Sequence, residues 1–180
     1  TGLVTLVQLS ACVLGDKNKM SYDAGISYIR NVLEATRTLQ KNPDDLDARG
    51  IIMLGASLST SSRIGIGKEE PFAYDIYELE FLPEKLFGST YRRSLTSIFP
   101  RFLAAMGRHH AAEVEKYCRD AFGFGSSIEE SSRKLIELFS GFGAEMYFDG
   151  KISREQVDSI PCRTELTPNE VFELMNSLIR

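Results

Sequence analysis

Apolar residues recur along this chain at the three-to-four-residue spacing of a helix, and no window alternates with the period of a strand. Near the C-terminus, Val171, Leu174, Met175, Leu178 and Ile179 fall on one stripe, the face a helix turns toward its core. The start of that helix is written just upstream. Thr167 can accept from the first free backbone N–H groups, Pro168 fits the first turn, and Glu170 completes a capping box. Leu135, Leu138, Phe139 and Phe142 repeat the stripe behind a second start at Ser127 and Glu130. Ser153 with Gln156 opens a shorter helix. Ile26, Ile29, Leu33 and Leu39 mark a helix that ends at Asn42-Pro43, because proline disfavours helical backbone in the residue before it. Asp44 or Asp45 opens the next helix, which carries Gly50, Gly55, Ala56, Ser57 and Ser59. Small side chains let helices approach closely, so this helix is predicted at the centre. Pro100 lies inside the helical run Tyr91–Met106 and predicts a kink there. The Gly-bounded, aromatic segment Ala144–Ile152 is expected to form an extended turn. The pattern as a whole predicts an all-α bundle of about seven to nine helices.

Length and charge narrow the classes without naming one. A chain of 180 residues, 43% hydrophobic and 26% charged, can bury a core. The net charge of −4 argues against a nucleic-acid partner. No apolar run reaches the length of a membrane span. The opening TGLVTLVQLSACVLG has no basic flank and reads as a core helix rather than a signal peptide. Cys12, Cys118 and Cys162 are odd in number and far apart, which fits reduced thiols and a cytoplasmic protein.

Motifs for independent chemistry are weak. Gly65-Ile66-Gly67-Lys68 suggests a phosphate loop, but Ser62 stands at the first glycine and Glu69 replaces the magnesium-reaching hydroxyl. Its glycines are expected to serve backbone geometry. His109-His110 holds both histidines of the chain. Neighbouring helical positions point about 100° apart, so the two do not readily chelate one ion, and with Arg108 they read as a solvated helix start. Asp75 and Glu78, three apart, read as a solvated helix face.

Three stretches, TGLVTLVQLS, ARGIIMLGASLSTSSRIGIG and FAYDIYELEFLPEKLFGSTYRRSLTSIFP, together resemble the helical C-terminal half of the iron-dependent (group III) alcohol dehydrogenases. The likeness covers most of the chain. It is strongest from Thr1 to about Met106 and fades to a helical pattern around LFSGFGAEMYFD. In that family an Asp and a His share one helix, a second His follows, and a third opens a His-Gly pair. The matching positions here are Thr1, Thr5, Ala73 and Phe87. Gly88 still follows Phe87, and Glu78-Leu79 stands where the family has Glu-Leu. Tyr77 occupies the place of a further His that the family uses in proton relay; a phenol titrating near pH ~10 replaces it poorly.

The resemblance implies the fold of the dehydroquinate synthase-like C-terminal domain, with residues 1–180 as a single helical domain. The chain opens without Met at a position that is mid-helix in the family. It is therefore expected to be the C-terminal half of a longer two-domain protein whose α/β nucleotide-binding half is absent. The family binds divalent iron or zinc and NAD(P), in a site where three imidazoles and one carboxylate hold the ion. Two hydroxyls, a methyl and a phenyl ring cannot replace those donors, so neither metal nor nicotinamide is expected in this chain. Catalytic residues are expected to be none, and Tyr77, Glu78 and Gly88 would line an emptied cleft. The ring of Phe87 is expected to fill that cleft, largely buried near Tyr77 or Ala73. Three functional readings stand: a non-catalytic relative, the metal-binding half of an active NAD(P)-dependent alcohol dehydrogenase with displaced ligands, and a helical protein-interaction module. The partners implied are the missing α/β half and a second copy in a homodimer, with neither nucleic acid nor membrane.

Overall fold

The structure is a computed structural model, and it describes every residue except Glu69, Glu70, Pro71, Ala73, Tyr74 and Ser126. The described residues form nine helices: α1 (Gly2–Val13), α2 (Lys19–Lys41), α3 (Leu46–Ser59), α4 (Asp75–Phe87), α5 (Tyr91–Gly107), α6 (Ala111–Phe122), α7 (Ile128–Gly141), α8 (Arg154–Asp158) and α9 (Pro168–Asn176). Their only extended pairings are the single bridges Asp16–Lys68 and Phe148–Ile179. The all-α expectation holds. Among the described residues no helix is long and apolar enough to cross a membrane.

The caps sit where the sequence writes them. Thr167 and Ser153 each close a full capping box, with Glu170 and Gln156. Ser127 accepts from the Glu130 amide, and Asp45 from the Ala48 amide. These side chains satisfy N–H groups that a helix start leaves without partners. The last helix is shorter than its stripe. Leu178 and Ile179 leave it, because the Phe148 amide donates to the Leu178 carbonyl and the Arg180 amide to the Phe148 carbonyl. The segment predicted as an extended turn is therefore pinned beside the C-terminal residues.

The helices group into two compact units. The first comprises residues 1–73 and 116–124. Here α1 is the inner helix, with Leu6, Val7, Leu9 and Val13 fully enclosed, and it packs on both α2 and α3. The phenol of Tyr117, wholly buried, donates to Ser10 Oγ, whose own hydroxyl donates to the Leu6 carbonyl at 2.7 Å. Burial pushes that phenol's pKa well above the ordinary value.

The central placement expected for α3 is not observed. Only Ala48, Ile52 and Gly55 of α3 are buried. Leu46, Met53 and Leu54 are 78%, 73% and 59% exposed. Gly55 makes the close approach that small residues promise, since a Cβ there would lie 2.7 Å from Val32 and 3.1 Å from Thr5. A Cβ at Gly50 would meet nothing. The 64–68 turn does use its glycines for geometry. Gly65 has φ of +75°, and a Cβ there would sit 2.3 Å from the Cys12 carbonyl. The amides of Gly65 and Ile66 already donate to Ser21 Oγ, so they are not free to cradle a phosphate.

The second unit comprises residues 74–115 and 125–180. Its central element is α5, which packs against α4, α7 and α9. Leu95, Ile98, Phe99, Phe102, Leu103 and Met106 are buried, and the Phe99 and Phe139 rings lie 6.3 Å apart. The helix runs on through Pro100 to Gly107, and Ser132 Oγ of α7 donates to the Pro100 carbonyl. A second proline, Pro83, lies inside α4.

Two substitutions test this packing. Phe139→Ala removes a fully enclosed ring and is expected to cost about 3–5 kcal/mol in a denaturant titration. Tyr117→Phe deletes one buried hydrogen bond and is expected to cost about 1 kcal/mol. A cost for Phe139→Ala below that of Tyr117→Phe would contradict the assignment of the core.

Candidate functional site

The positions singled out by sequence fall into two groups. Thr1 and Thr5 lie at the start of α1 in the first unit. Thr5 is 1% exposed, and its methyl faces Gly55 where α3 crosses. It acts there as a small packing residue. Ala73 lies outside the described residues. Tyr77, Glu78, Phe87 and Gly88 all belong to α4 or its end, in the second unit.

Phe87 departs from the burial expected of it. The ring is half-buried rather than enclosed, and it stacks on Phe148 with centroids 4.5 Å apart and planes 5° from parallel. Ten residues of helix separate it from Tyr77, about 15 Å along the axis, so the two do not meet. Phe148 is in turn covered by the Arg93 guanidinium, 4.3 Å above its ring. Arg93 also donates to the Tyr147 carbonyl and pairs with Glu145. Phe87 thus anchors α4 to the 144–148 segment. Gly88 ends α4 with φ of +62°, a left-handed cap that glycine adopts without strain.

The carboxylates of α4 are less solvated than their spacing suggested. Asp75 is 5% exposed and accepts from Thr164 Oγ1 at 2.9 Å and from the Glu165 amide at 3.3 Å. Glu78 is half-buried and lies 3.5 Å from the Arg163 amide. Cys162 sits beside them. Burial, then the Glu78 and Asp75 charges, push its thiol up to about 12, which makes it a poor nucleophile or metal ligand at neutral pH. Glu80, which the sequence reading missed, is 2% exposed with Oε2 unpartnered. Burial, then the Glu84 carboxylate one turn on, raise its pKa to about 7. Glu80 lies four residues after Ile76 and three before Pro83, both buried, so its place on the apolar stripe was the available signal.

The two histidines do stand at a solvated helix start, directly before α6 with His109 exposed and His110 half-buried, and each ring has an acidic partner. His109 Nε2 lies 2.8 Å from Glu170 Oε1, and His110 Nε2 lies 2.6 Å from Glu165 Oε1. Arg108 pairs with Glu173 at 2.9 Å. Hydrogen bonds from the Thr167 amide and hydroxyl, with His109 adding to them, hold the Glu170 carboxyl down at about 2. Arg108, His109 and His110 together tie the end of α5 to the α9 region. Among the described residues, no three His, Cys, Asp or Glu side chains are grouped to hold a metal.

Over nearly its whole length the chain superposes on a known enzyme. It matches 51% of the NADH-dependent butanol dehydrogenase A of Thermotoga maritima over 99% of its own residues, with a TM-score of 0.79 and 17% identity. The chain has the fold of the helical half of a dehydrogenase. It also matches 41% of the aldehyde reductase YqhD of E. coli over 82% of its own residues, with a TM-score of 0.62 and 12% identity. The chain thus spans about half the length of these enzymes. No protein-family model and no curated protein matches the sequence. The alcohol dehydrogenase-like likeness read from the sequence is carried by the dehydrogenase fold.

Two tests follow from the α4 geometry. Phe87→Ala is expected to cost about 1–2 kcal/mol, below the value for an enclosed ring, because one face of the stack is open. Glu80 titrates higher in the fold than in the unfolded chain. The fold therefore loses stability as pH rises from about 4.5 through about 7. Denaturant titrations of Glu80→Gln and the parent chain should agree at pH ~4 and diverge in favour of the variant by pH ~8, by on the order of 1–3 kcal/mol. A constant difference across that range would contradict the buried carboxyl.

Proposed function

We propose that this chain is a metal-free, non-catalytic helical domain of an alcohol dehydrogenase-like protein. The observation that carries the reading is the use to which the degenerate positions are put. Thr5 fills a helix crossing at Gly55, and Phe87 stacks on Phe148. Side chains absorbed into packing are not spare ligands. The donor set points the same way. Iron or zinc in an oxidoreductase site needs imidazole and carboxylate donors with an open position, and Thr1, Thr5, Ala73 and Phe87 supply none. The residues present do not fit the metal. The half-length match supports an α/β nucleotide-binding half as the natural partner.

The alternative, an active NAD(P)-dependent alcohol dehydrogenase with displaced ligands, makes an opposite forecast. Elemental analysis of tag-free protein is expected to find no stoichiometric iron or zinc. Assays with NAD(H) or NADP(H) and simple alcohols or aldehydes are expected to stay at the buffer blank, with or without added iron, zinc or nickel. One tightly held ion per chain, or metal-dependent turnover abolished by a single substitution in this chain, would replace the proposed reading with the alternative.

A further inference from the structure

The first unit carries a groove of about 710 Å³ between the C-terminal half of α2 and the end of α6. Its α2 wall is the stripe Arg30, Leu33, Glu34, Arg37, Thr38 and Lys41. That is the i, i+3, i+4, i+7, i+8, i+11 spacing by which a helix normally faces a neighbour. Here the floor is apolar, made by Leu33 and by Ala121 and Phe122 of α6. Leu33 and Ala121 are buried, and the half-buried Phe122 ring is fixed by Phe124 at 5.6 Å and the edge of Tyr117 at 5.8 Å.

The cations on this wall are not equivalent. Arg30 is committed, because its Nε donates to the Asp120 carbonyl at 2.7 Å and closes the end of α6. Arg37 and Lys41 are exposed, one helical turn apart on the same face. Among the described residues no carboxylate lies within ion-pair distance of either, Glu34 included. The helix dipole favours basic side chains in the last turn of α2, but it gives no reason for an aromatic floor beneath them. The groove is open and mixed in lining, apolar below and charged along one rim, and so suits a ligand with one apolar face and one charged end.

We propose that this groove binds an organic anion: a flat apolar body lying on Phe122 and Leu33, and a carboxylate or phosphate held between Arg37 and Lys41. Thr38 lies between the two cations on the same wall and offers a hydroxyl donor. A bare inorganic anion is disfavoured, because two exposed cations alone hold an ion only weakly. A neutral aromatic would leave the cations unused. The inference is independent of the metal-free reading, since none of its residues belongs to the positions aligned with the metal ligands.

The test is calorimetric titration of the whole chain with 2-naphthoate at low ionic strength, beside acetate and 2-naphthylmethanol. The expected result is saturable one-to-one binding of 2-naphthoate, and weaker binding of both controls. Arg37→Ala/Lys41→Ala, at two exposed positions, should lower the affinity about tenfold or more, with the circular dichroism spectrum unchanged. Lys85→Ala, an exposed charge on α4 in the other unit, should leave the affinity as it was. Three results would each overturn the proposal: no saturable 2-naphthoate binding, equal binding by the double variant, or acetate binding as tightly as 2-naphthoate.

Discussion

Helix α5 is enclosed around nearly its whole circumference from Ser94 to Gly107, so its polar groups have to be satisfied from within or by immediate neighbours. Arg101 shows how. Only 7% exposed, its guanidinium donates through Nη1 to the Ser97 carbonyl and through Nε to the Ser177 carbonyl, and lies 4.7 Å over the Tyr147 ring. One side chain thus joins α5, the end of α9 and the 144–148 segment. Thr96 and Ser97 return their hydroxyls to carbonyls one turn back. The rest of the second unit is arranged around this constraint. Pro100 is tolerated because the helix is held on all sides, and Phe148 is placed where Phe87 can stack on it.

That placement bears on the proposed metal-free reading. Thr5 and Phe87, two of the positions that the sequence resemblance aligns with metal ligands, each have a packing partner, Gly55 for the one and Phe148 for the other. The acidic residues of α4 follow a similar logic. Asp75 is tied to Thr164 and Glu165 across the unit, and Cys162 beside it is held in its neutral form. Glu80 is the exception, buried with one oxygen unpartnered, and its cost is met by holding a proton near neutral pH.

Much of the fold was legible because its signals are local. A Thr three residues before a Glu, or a Ser three before a Gln, needs nothing distant to cap a helix, and the boxes at Thr167 and Ser153 formed as written. The misplacements share a cause in contacts far apart in sequence. The partners of Asp75 lie about ninety residues on. No spacing rule announces them. In α3 the small residues were read as if both faces were packed, whereas only Gly55 meets a neighbour and Leu46, Met53 and Leu54 stand outside. At the candidate site nothing in the sequence announced that Phe87 would stack on Phe148, a residue about sixty positions further along the chain.

The proposed metal-free reading requires that this fold stand on packing alone. Anything that binds the folded state and not the unfolded one raises the unfolding temperature. Thermal unfolding of the purified chain, first with excess zinc or ferrous iron and then with a strong chelator, therefore tests the claim directly. Coincident midpoints are the expected result. A midpoint several degrees higher with metal, returned by the chelator, would contradict it.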